Sequence, residues 1–493
     1  MPHDLERSHN RLTKKNSLAK IKLQPSPPLP LFGIPMPTAF NSLPLKPELL
    51  STLAALEYTQ MTPVQEQSLP LVLKGGDLIG KAKTGSGKTA AFALGILQQL
   101  SVEHFHTQAL VICPTRELAD QVAKEIRTLG RAIANIKVLT LCGGSPIGPQ
   151  KISLERGAHI VVGTPGRLLD HISKNTLNLG QIKQLVLDEA DRMLDMGFSE
   201  QLNAIIAACP QHKQTLLFSA TYPDDIAAIS RRCQKNPSIV SVDDNAPNHA
   251  ISQYFYELKS PQEKPRALLK LLAEFTPSSS LIFCNTKQTC NDLLEFLRQN
   301  KIAAATLHGD LEQKQRDQIL VCFANGSLPL LIATDVAARG IDIKQLDLVI
   351  NYELAREASV HIHRIGRTGR AGESGTAINL VAPQDLPALH RIEDLTGSPA
   401  KLLSLPNPKT PLNLEAAMVT LAIDGGKKSK LRAGDVLGAL TKDGAIIGEH
   451  IGKISVFDFS IYVAVHKSYW QTALIQLQNY PIKGKTFKAR RLM

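Results

Sequence analysis

No stretch of this chain approaches the roughly 20 consecutive apolar residues that a membrane-crossing helix needs, which excludes a span of that kind. The N-terminus carries basic residues but lacks the apolar segment of a secretory signal. Cysteine pairs at metal-binding spacing are also missing, because the seven cysteines include no CxxC. An odd number of unpatterned thiols predicts reduced cysteines in a cytosolic chain, with neither disulfides nor zinc. No short-period repeat is visible.

What is present is ordinary in bulk and uneven in charge. At 493 residues, 43% hydrophobic and 20% charged, the chain is too long for one hydrophobic core, and roughly two to four domains are expected. The formal net charge is +12. Residues 1–35 hold six Lys/Arg against Asp4 and Glu6, and residues 413–493 hold twelve against six acids, so the central 377 residues carry only +2. Basic ends flanking a near-neutral centre predict that polyanion affinity sits at the ends.

The composition of residues 1–37, interrupted by Pro25-Ser26-Pro27-Pro28-Leu29-Pro30, predicts disorder. Short apolar runs then alternate with longer amphipathic stretches. Ala109-Leu110-Val111-Ile112-Cys113, Leu185-Val186-Leu187 and Thr215-Leu216-Leu217-Phe218 belong to a first set. Leu281-Ile282-Phe283-Cys284 and Leu330-Leu331-Ile332-Ala333 belong to a second. Such runs between helical patterns indicate buried parallel strands in βαβ units. The pattern lapses over 243–248 and again over the proline-bearing 405–411. The expected division is a first lobe over 38–242, a second over 250–398, a linker over 399–412 and a small basic domain over 413–493. In that last domain, β-like runs at Met418–Ile423, Ile454–Phe459 and Ile461–Val465, with helical stretches at Ala433–Leu440 and Tyr469–Asn479, suggest a β-α-β-β-α-β layout. The aromatic signature of a standard RNA-recognition motif is absent, so base stacking on its sheet is not assumed. Tyr462 and Trp470 fit core and contact roles equally.

Ala82-Lys83-Thr84-Gly85-Ser86-Gly87-Lys88-Thr89 follows an apolar run and opens a helix. Its glycines let backbone N–H groups turn around phosphate oxygens, and the helix N-terminus adds partial positive charge. Lys88 would reach the β/γ-phosphates and the Thr89 hydroxyl would sit on Mg²⁺. Asp188, at the end of Leu185-Val186-Leu187, fits a carboxylate that holds the same ion, partly through water. Glu189 is placed to orient and deprotonate an attacking water. Transition-state charge on the γ-phosphate calls for arginines, and His363-Arg364-Ile365-Gly366-Arg367-Thr368-Gly369-Arg370 offers Arg367 and Arg370. If those two reach across a cleft, ATP would bridge the lobes, closing them on binding and releasing them on hydrolysis.

Together these segments resemble the DEAD-box RNA helicases, whose naming motif is Asp188-Glu189-Ala190-Asp191. The resemblance implies two tandem RecA-like domains with parallel sheets, followed by a small α+β RRM-like RNA-binding domain. Phe40 with Met61-Thr62-Pro63-Val64-Gln65 is similar to the family's adenine-sensing motif, which implies that Gln65 reads adenine; Glu57 stands where the family usually has glycine. Around Arg116, Gly144, Thr164 and Arg167 in the first lobe, and Thr286 and Thr334 in the second, the motifs resemble RNA contacts. Ser219-Ala220-Thr221 is similar to the motif that couples hydrolysis to strand separation, through Asp191. The resemblance gives Asp342 to the ribose end of the nucleotide. Gripping one strand by its backbone and bending it implies local, non-processive melting of short RNA helices.

The stretch Ile423–Leu440, with Ile451-Gly452-Lys453-Ile454 and Ile482–Thr486, resembles the C-terminal domain of the DbpA-type bacterial members. That implies recognition of a 23S ribosomal RNA hairpin, remodelling of adjacent rRNA helices, and a role in assembling the large (50S) subunit precursor. Lys427, Lys428, Lys430 and Arg432 are the implied contacts. A cytoplasmic monomer without membrane association is expected. Met36-Pro37-Thr38-Ala39-Phe40 resembles the start of such a protein, making residues 1–35 an optional extension or an upstream start. Two other readings stay open: an ATP-gated RNA clamp that does not separate strands, and a DNA translocase, which the DEAD form and the C-terminal module disfavour.

Overall fold

The computed structural model describes residues 39–82, 85–222, 224–242, 251–338, 346–369, 374–410, 412–442 and 444–492. The N-terminal stretch, Lys83, Thr84, the 243–248 segment, Asp342 and Arg370 lie outside them.

Seven short strands build the first lobe: β1 (Leu78–Lys81), β2 (Ala109–Ile112), β3 (Val138–Leu141), β4 (Ile160–Gly163), β5 (Gln184–Asp188), β6 (Gln214–Ser219) and β7 (Ser238–Ser241). All pair in parallel, in the order β3-β4-β2-β5-β6-β1-β7. Strands β2, β4, β5 and β6 are buried along their whole length, so they lack polar alternation and read as continuous apolar runs. One apolar cluster, including Leu94, Ile126 and Phe218, covers one face of the sheet. Another, including Leu168, Met193 and Leu217, covers the opposite face. Strands β1, β6 and β5 are immediate neighbours, and the three segments of greatest chemical interest leave from their carboxyl ends. Ligands of open α/β sheets bind there.

The second lobe repeats the plan with β8 (Ile251–Glu257), β9 (Ser280–Phe283), β10 (Ala304–Leu307), β11 (Leu330–Ala333), β12 (Leu348–Asn351), β13 (Gly375–Val381) and β14 (Leu402–Leu403). Its parallel order is β10-β11-β9-β12-β13-β8-β14. Two tandem RecA-like sheets are thus present. Thr115 and Thr286 occupy equivalent N-caps in the two lobes, accepting from Leu118 N–H at 3.3 Å and Thr289 N–H at 3.0 Å.

The last domain is an antiparallel sheet of β15 (Met418–Ile423), β16 (Ile451–Val456), β17 (Ile461–His466) and β18 (Ala489–Arg491), ordered β16-β17-β15-β18. Helices Ala433–Thr441 and Trp470–Asn479 pack on one face through Val436, Leu440, Ala473 and Leu477. The run expected to be a strand over Ile454–Phe459 is shifted toward the N-terminus. Ladder pairing with β17 ends at Val456↔Ile461, and residues 457–460 form a turn closed by the Phe457 N–H to Ser460 carbonyl bond of 2.8 Å.

The other face of this sheet is not open. It docks on the second lobe along the helix Gln313–Ala324 and the loop after it. Asn325 Nδ2 donates to Thr420 Oγ1 at 2.8 Å, Thr420 Oγ1 donates to Ser327 Oγ at 2.8 Å, and Gln318 Nε2 donates to the Tyr462 hydroxyl at 3.3 Å. Leu492 packs against the second lobe's core. Tyr462, left open above, is a buried docking residue. Trp470 is half-buried, with the Arg491 guanidinium 4.8 Å from its ring. Among the described residues no helix is long and apolar enough to cross a membrane.

Candidate nucleotide and RNA site

The loop after β1 is shaped by glycine. Gly85 and Gly87 have φ of +88° and +92°, and Gly87 caps the helix Lys88–Gln99. A Cβ on Gly87 would lie 2.5 Å from Gln65 Nε2 and 2.8 Å from Thr62 Oγ1, so glycine is required there by space as well as by conformation. Gln65 and Thr62 brace the loop from outside. The Thr62 hydroxyl donates to the Ser86 carbonyl at 2.7 Å, and Gln65 Nε2 donates to the Gly87 carbonyl at 3.0 Å. Gln65 Oε1 accepts from the Thr62 N–H at 2.9 Å. Each Gln65 amide atom keeps one bonding capacity beyond these contacts. Ala82 is buried, and its N–H donates to the Ser219 carbonyl at 3.1 Å, which ties the start of the loop to β6.

Phe40, Tyr58, Gln65, Gly85, Gly87, Lys88, Thr89, Asp188 and Glu189 line one cavity of about 460 Å³. Phe40 is buried, its ring 6.4 Å from that of Tyr58. Glu57, standing where glycine is usual, adopts a left-handed φ of +60°, a conformation that costs a side-chain-bearing residue roughly 1 kcal/mol.

At the cavity floor Lys88 Nζ lies 3.0 Å from Asp188 Oδ1, both side chains nearly fully buried. Burial pulls the Lys88 pKa down, but Asp188, Glu189 and Asp191 together outweigh it and leave it raised, so the lysine stays charged. Burial lifts the Asp188 carboxyl above the usual range; Lys88 opposes that shift and the neighbouring Glu189 adds to it. Asp188 Oδ2 is buried and has no hydrogen-bond partner. An orphaned carboxylate oxygen in a cavity that Thr89 also lines suits a hard divalent cation that also binds phosphate oxygens and water. Among the described residues no group of three or more His, Cys, Asp or Glu could hold a metal ion by itself.

Glu189 sits in the turn that leaves β5, at φ +52° and ψ 51°, a strained left-handed conformation of the kind that concentrates at functional sites. Arg192 Nε is 3.4 Å from its Oε2. Two residues after Glu189, Asp191 joins two motifs. Its Oδ2 accepts from the Ala220 N–H at 3.2 Å and from the Thr221 N–H and hydroxyl at 3.0 Å each. Ser219 Oγ accepts from the Asp191 N–H at 3.3 Å. The structure thus brings Asp191, Ser219 and Thr221 together.

The two lobes meet over this region. Arg192 of the first lobe shares a pocket with Phe283, Asp335, His363, Arg364 and Arg367 of the second. Burial and the Arg192 charge push the His363 pKa down to about 4, against the pull of Asp191 and Glu189. The arginines differ in kind. Arg364 is consumed inside its own lobe: Nε and Nη2 reach the Asp335 carboxylate at 2.6 and 2.7 Å, Nη1 the Glu353 carbonyl at 2.6 Å, and Nη2 Asn285 Oδ1 at 2.8 Å. Arg367 lines the same interlobe pocket and is 6% exposed.

Arg116 and Gly144 are in contact: a Cβ on Gly144 would lie 2.2 Å from Arg116 Nη1, at a φ of +72°. Arg116 Nε and Nη1 are buried without hydrogen-bond partners. Arg167 fastens the start of the helix Ile147–Glu155 and the bend before it, donating to Gln150 Oε1 at 2.8 Å and the Ser145 carbonyl at 2.9 Å. Thr164 precedes the helix Pro165–Ser173, and Thr286 and Thr334 sit at equivalent carboxyl-end positions of the second sheet. Sequence reasoning missed an ion pair between the lobes: Arg316 Nη2 and Nε donate to Glu117 Oε1 at 2.9 and 3.2 Å. In the last domain Lys427, Lys428, Lys430 and Arg432 are all exposed, around the turn Lys427–Ser429.

Comparison with known proteins agrees with this geometry. A DEAD/DEAH box helicase family model matches residues 62–229, a helicase conserved C-terminal domain matches 263–372, and a DbpA RNA binding domain matches 420–491. The ATP-dependent RNA helicase DbpA of Escherichia coli (strain K12) is 52% identical over 456 residues, covering 92% of this chain and 100% of that protein. The DbpA of Bacillus subtilis (strain 168) is 38% identical, over 92% of this chain and 99% of that protein. Among solved structures, S. cerevisiae Dbp5 bound to RNA and ADP BeF3 superposes with a TM-score of 0.69 at 34% identity, covering 75% of this chain and 96% of that chain.

Proposed function

The chain belongs to the DEAD-box ATP-dependent RNA helicases, and from that premise we propose that it melts short ribosomal RNA helices next to a 23S rRNA hairpin held by its C-terminal domain. The work would serve assembly of the large-subunit precursor in the cytoplasm, by a chain acting as a monomer. The observation that carries the reading is the cavity lined by Lys88, Asp188 and Glu189, beside Arg192, which is 3.4 Å from Glu189 and lines a pocket with Arg367 of the other lobe.

In this reading the backbone N–H groups of 85–89 and the Lys88 ammonium hold the β- and γ-phosphates of ATP. Thr89 and Asp188 would hold Mg²⁺, which would neutralise charge on those phosphates. Glu189 orients a water toward the γ-phosphorus and takes its proton, while Arg367, with Arg370, meets the charge that builds on the phosphoryl oxygens. Phe40 and Gln65 favour adenine, and Asp342 supports the ribose end. Arg116, Gly144, Thr164, Arg167, Thr286 and Thr334 contact the RNA backbone, which positions a strand without reading its sequence. The Asp191–Thr221 contact links the hydrolytic turn to strand β6, a route by which phosphate release loosens the RNA grip. The 12 Lys/Arg of residues 413–493 supply affinity for the hairpin.

ATP hydrolysis stimulated by full rRNA, by the hairpin fragment and by bulk RNA, measured side by side with displacement of a duplex joined to the hairpin, tests the whole. Strong stimulation by the hairpin fragment, with displacement, is expected, and deleting residues 413–493 removes the preference. Equal stimulation by bulk RNA overturns the targeting. Stimulation without displacement makes the chain a clamp.

A further inference from the structure

Phe459 is the most exposed large apolar side chain among the described residues, at 75%. It sits on the turn that joins β16 to β17, and that turn is welded to the basic one. The Lys427 N–H donates to the Phe457 carbonyl and the Lys428 N–H to the Asp458 carbonyl, both at 2.9 Å. Gly426 permits the approach, since a Cβ there would lie 2.2 Å from the Phe457 oxygen. From the other side Lys483 Nζ donates to the Lys430 carbonyl at 3.2 Å. Phe457 anchors the turn inward, its ring edge-on to Tyr462 at 5.4 Å, and Phe459 is exposed on a turn bonded through its backbone to the segment that carries the exposed lysines 427, 428 and 430.

The usual place for a base to stack on such a domain is the open face of its sheet. Here that face is filled: Thr420, Ala422, Tyr462 and Ala464 are at most 3% exposed, packed toward the second lobe. Val419, Leu421 and Val463, alternating with them, are in the core beneath the helices. Both sides of the central strands are therefore closed to RNA.

We infer that Phe459 is a base-stacking residue for an unpaired nucleobase of the RNA loop whose phosphates Lys427, Lys428 and Lys430 hold. This rests on the reading that the C-terminal domain binds an RNA hairpin, and it names the atoms that would read it. An exposed ring amid cations is the recurring device for unstacked nucleotides. The site takes a looped-out base and excludes one locked in a duplex, so a hairpin loop fits and a continuous helix does not.

The test uses the full chain and the 23S rRNA hairpin, carrying 2-aminopurine at successive loop positions. Wild type should quench the fluorophore at one position. Phe459→Ala should abolish that quench and weaken binding roughly tenfold or more, leaving the slope of affinity against salt unchanged, while Phe459→Tyr restores both. Lys427→Ala with Lys428→Ala should instead flatten the salt slope. Matching thermal melts show that the variants fold. Quenching and affinity that survive Phe459→Ala, with the lysine effect intact, overturn the stacking role alone. A wild-type chain that binds this hairpin no better than an unrelated one overturns the hairpin reading, and the stacking proposal with it.

Discussion

Truncating Arg316 to alanine removes an ion pair that spans the two lobes without touching the nucleotide pocket. Two nitrogens of its guanidinium reach one Glu117 oxygen, and the two side chains are 13% and 14% exposed. Breaking a fully buried pair costs about 3–5 kcal/mol, and an exposed one about 0.2–1 kcal/mol. A pair of this exposure belongs between, at roughly 1.5–2 kcal/mol. Lobe closure should therefore become about ten- to thirtyfold less favourable. Dyes on the two lobes report it: with a non-hydrolysable ATP analogue present, the RNA concentration giving half-maximal closure should rise by that factor. Glu117→Ala should reproduce the effect, and the double variant should add little, because either change leaves nothing for the other to break. A half-closing concentration within twofold of wild type, or fully additive variants, would refute the reasoning.

Other outcomes follow from the same geometry. Lys88→Ala should abolish ATP turnover, whereas Glu189→Gln should leave nucleotide binding and stop hydrolysis; wild-type ATPase rates in either refute the roles given to them. Gly144→Ala should force the Arg116 guanidinium aside and weaken RNA binding about tenfold across all sequences, with hairpin preference unchanged, as competition between RNAs would show. Acid should oppose closure. His363, pushed down to about 4 when the lobes meet, is neutral in both states above its ordinary value near 6.5. Below that value the open form takes a proton that the closed form refuses, at a cost of up to roughly 1.4 kcal/mol per pH unit. Half-closing RNA concentrations should be flat above about pH 7 and rise toward pH 5; a flat profile throughout would count against the burial of His363 at that contact.

What could be read from the sequence was what is local along the chain. The phosphate loop is one contiguous segment whose glycines and lysine carry their own chemistry, and the buried parallel strands announce themselves as short apolar runs. The arginine run offered Arg367 and Arg370 to the nucleotide and gave Arg364 no role. Folding supplies that role, because Asp335, Asn285 and the Glu353 carbonyl converge on Arg364 from three separate segments. Arg316 and Glu117 are 199 residues apart and follow no pattern that joins them. Tyr462 was undecided between core and contact for the same reason. Its partner Gln318 lies 144 residues earlier, on a helix of another domain. The strand expected through Phe459 stopped at Val456, because pairing across the turn, not local propensity, sets where a strand ends.

The central claim is a triphosphate gripped from both lobes, and a crystal structure of this chain with RNA and a γ-phosphate analogue tests it most directly. The Arg367 guanidinium should lie about 3 Å from an oxygen of the analogue, with Lys88 on its other side. Arg367 turned away from that position while RNA and nucleotide are both bound would contradict it.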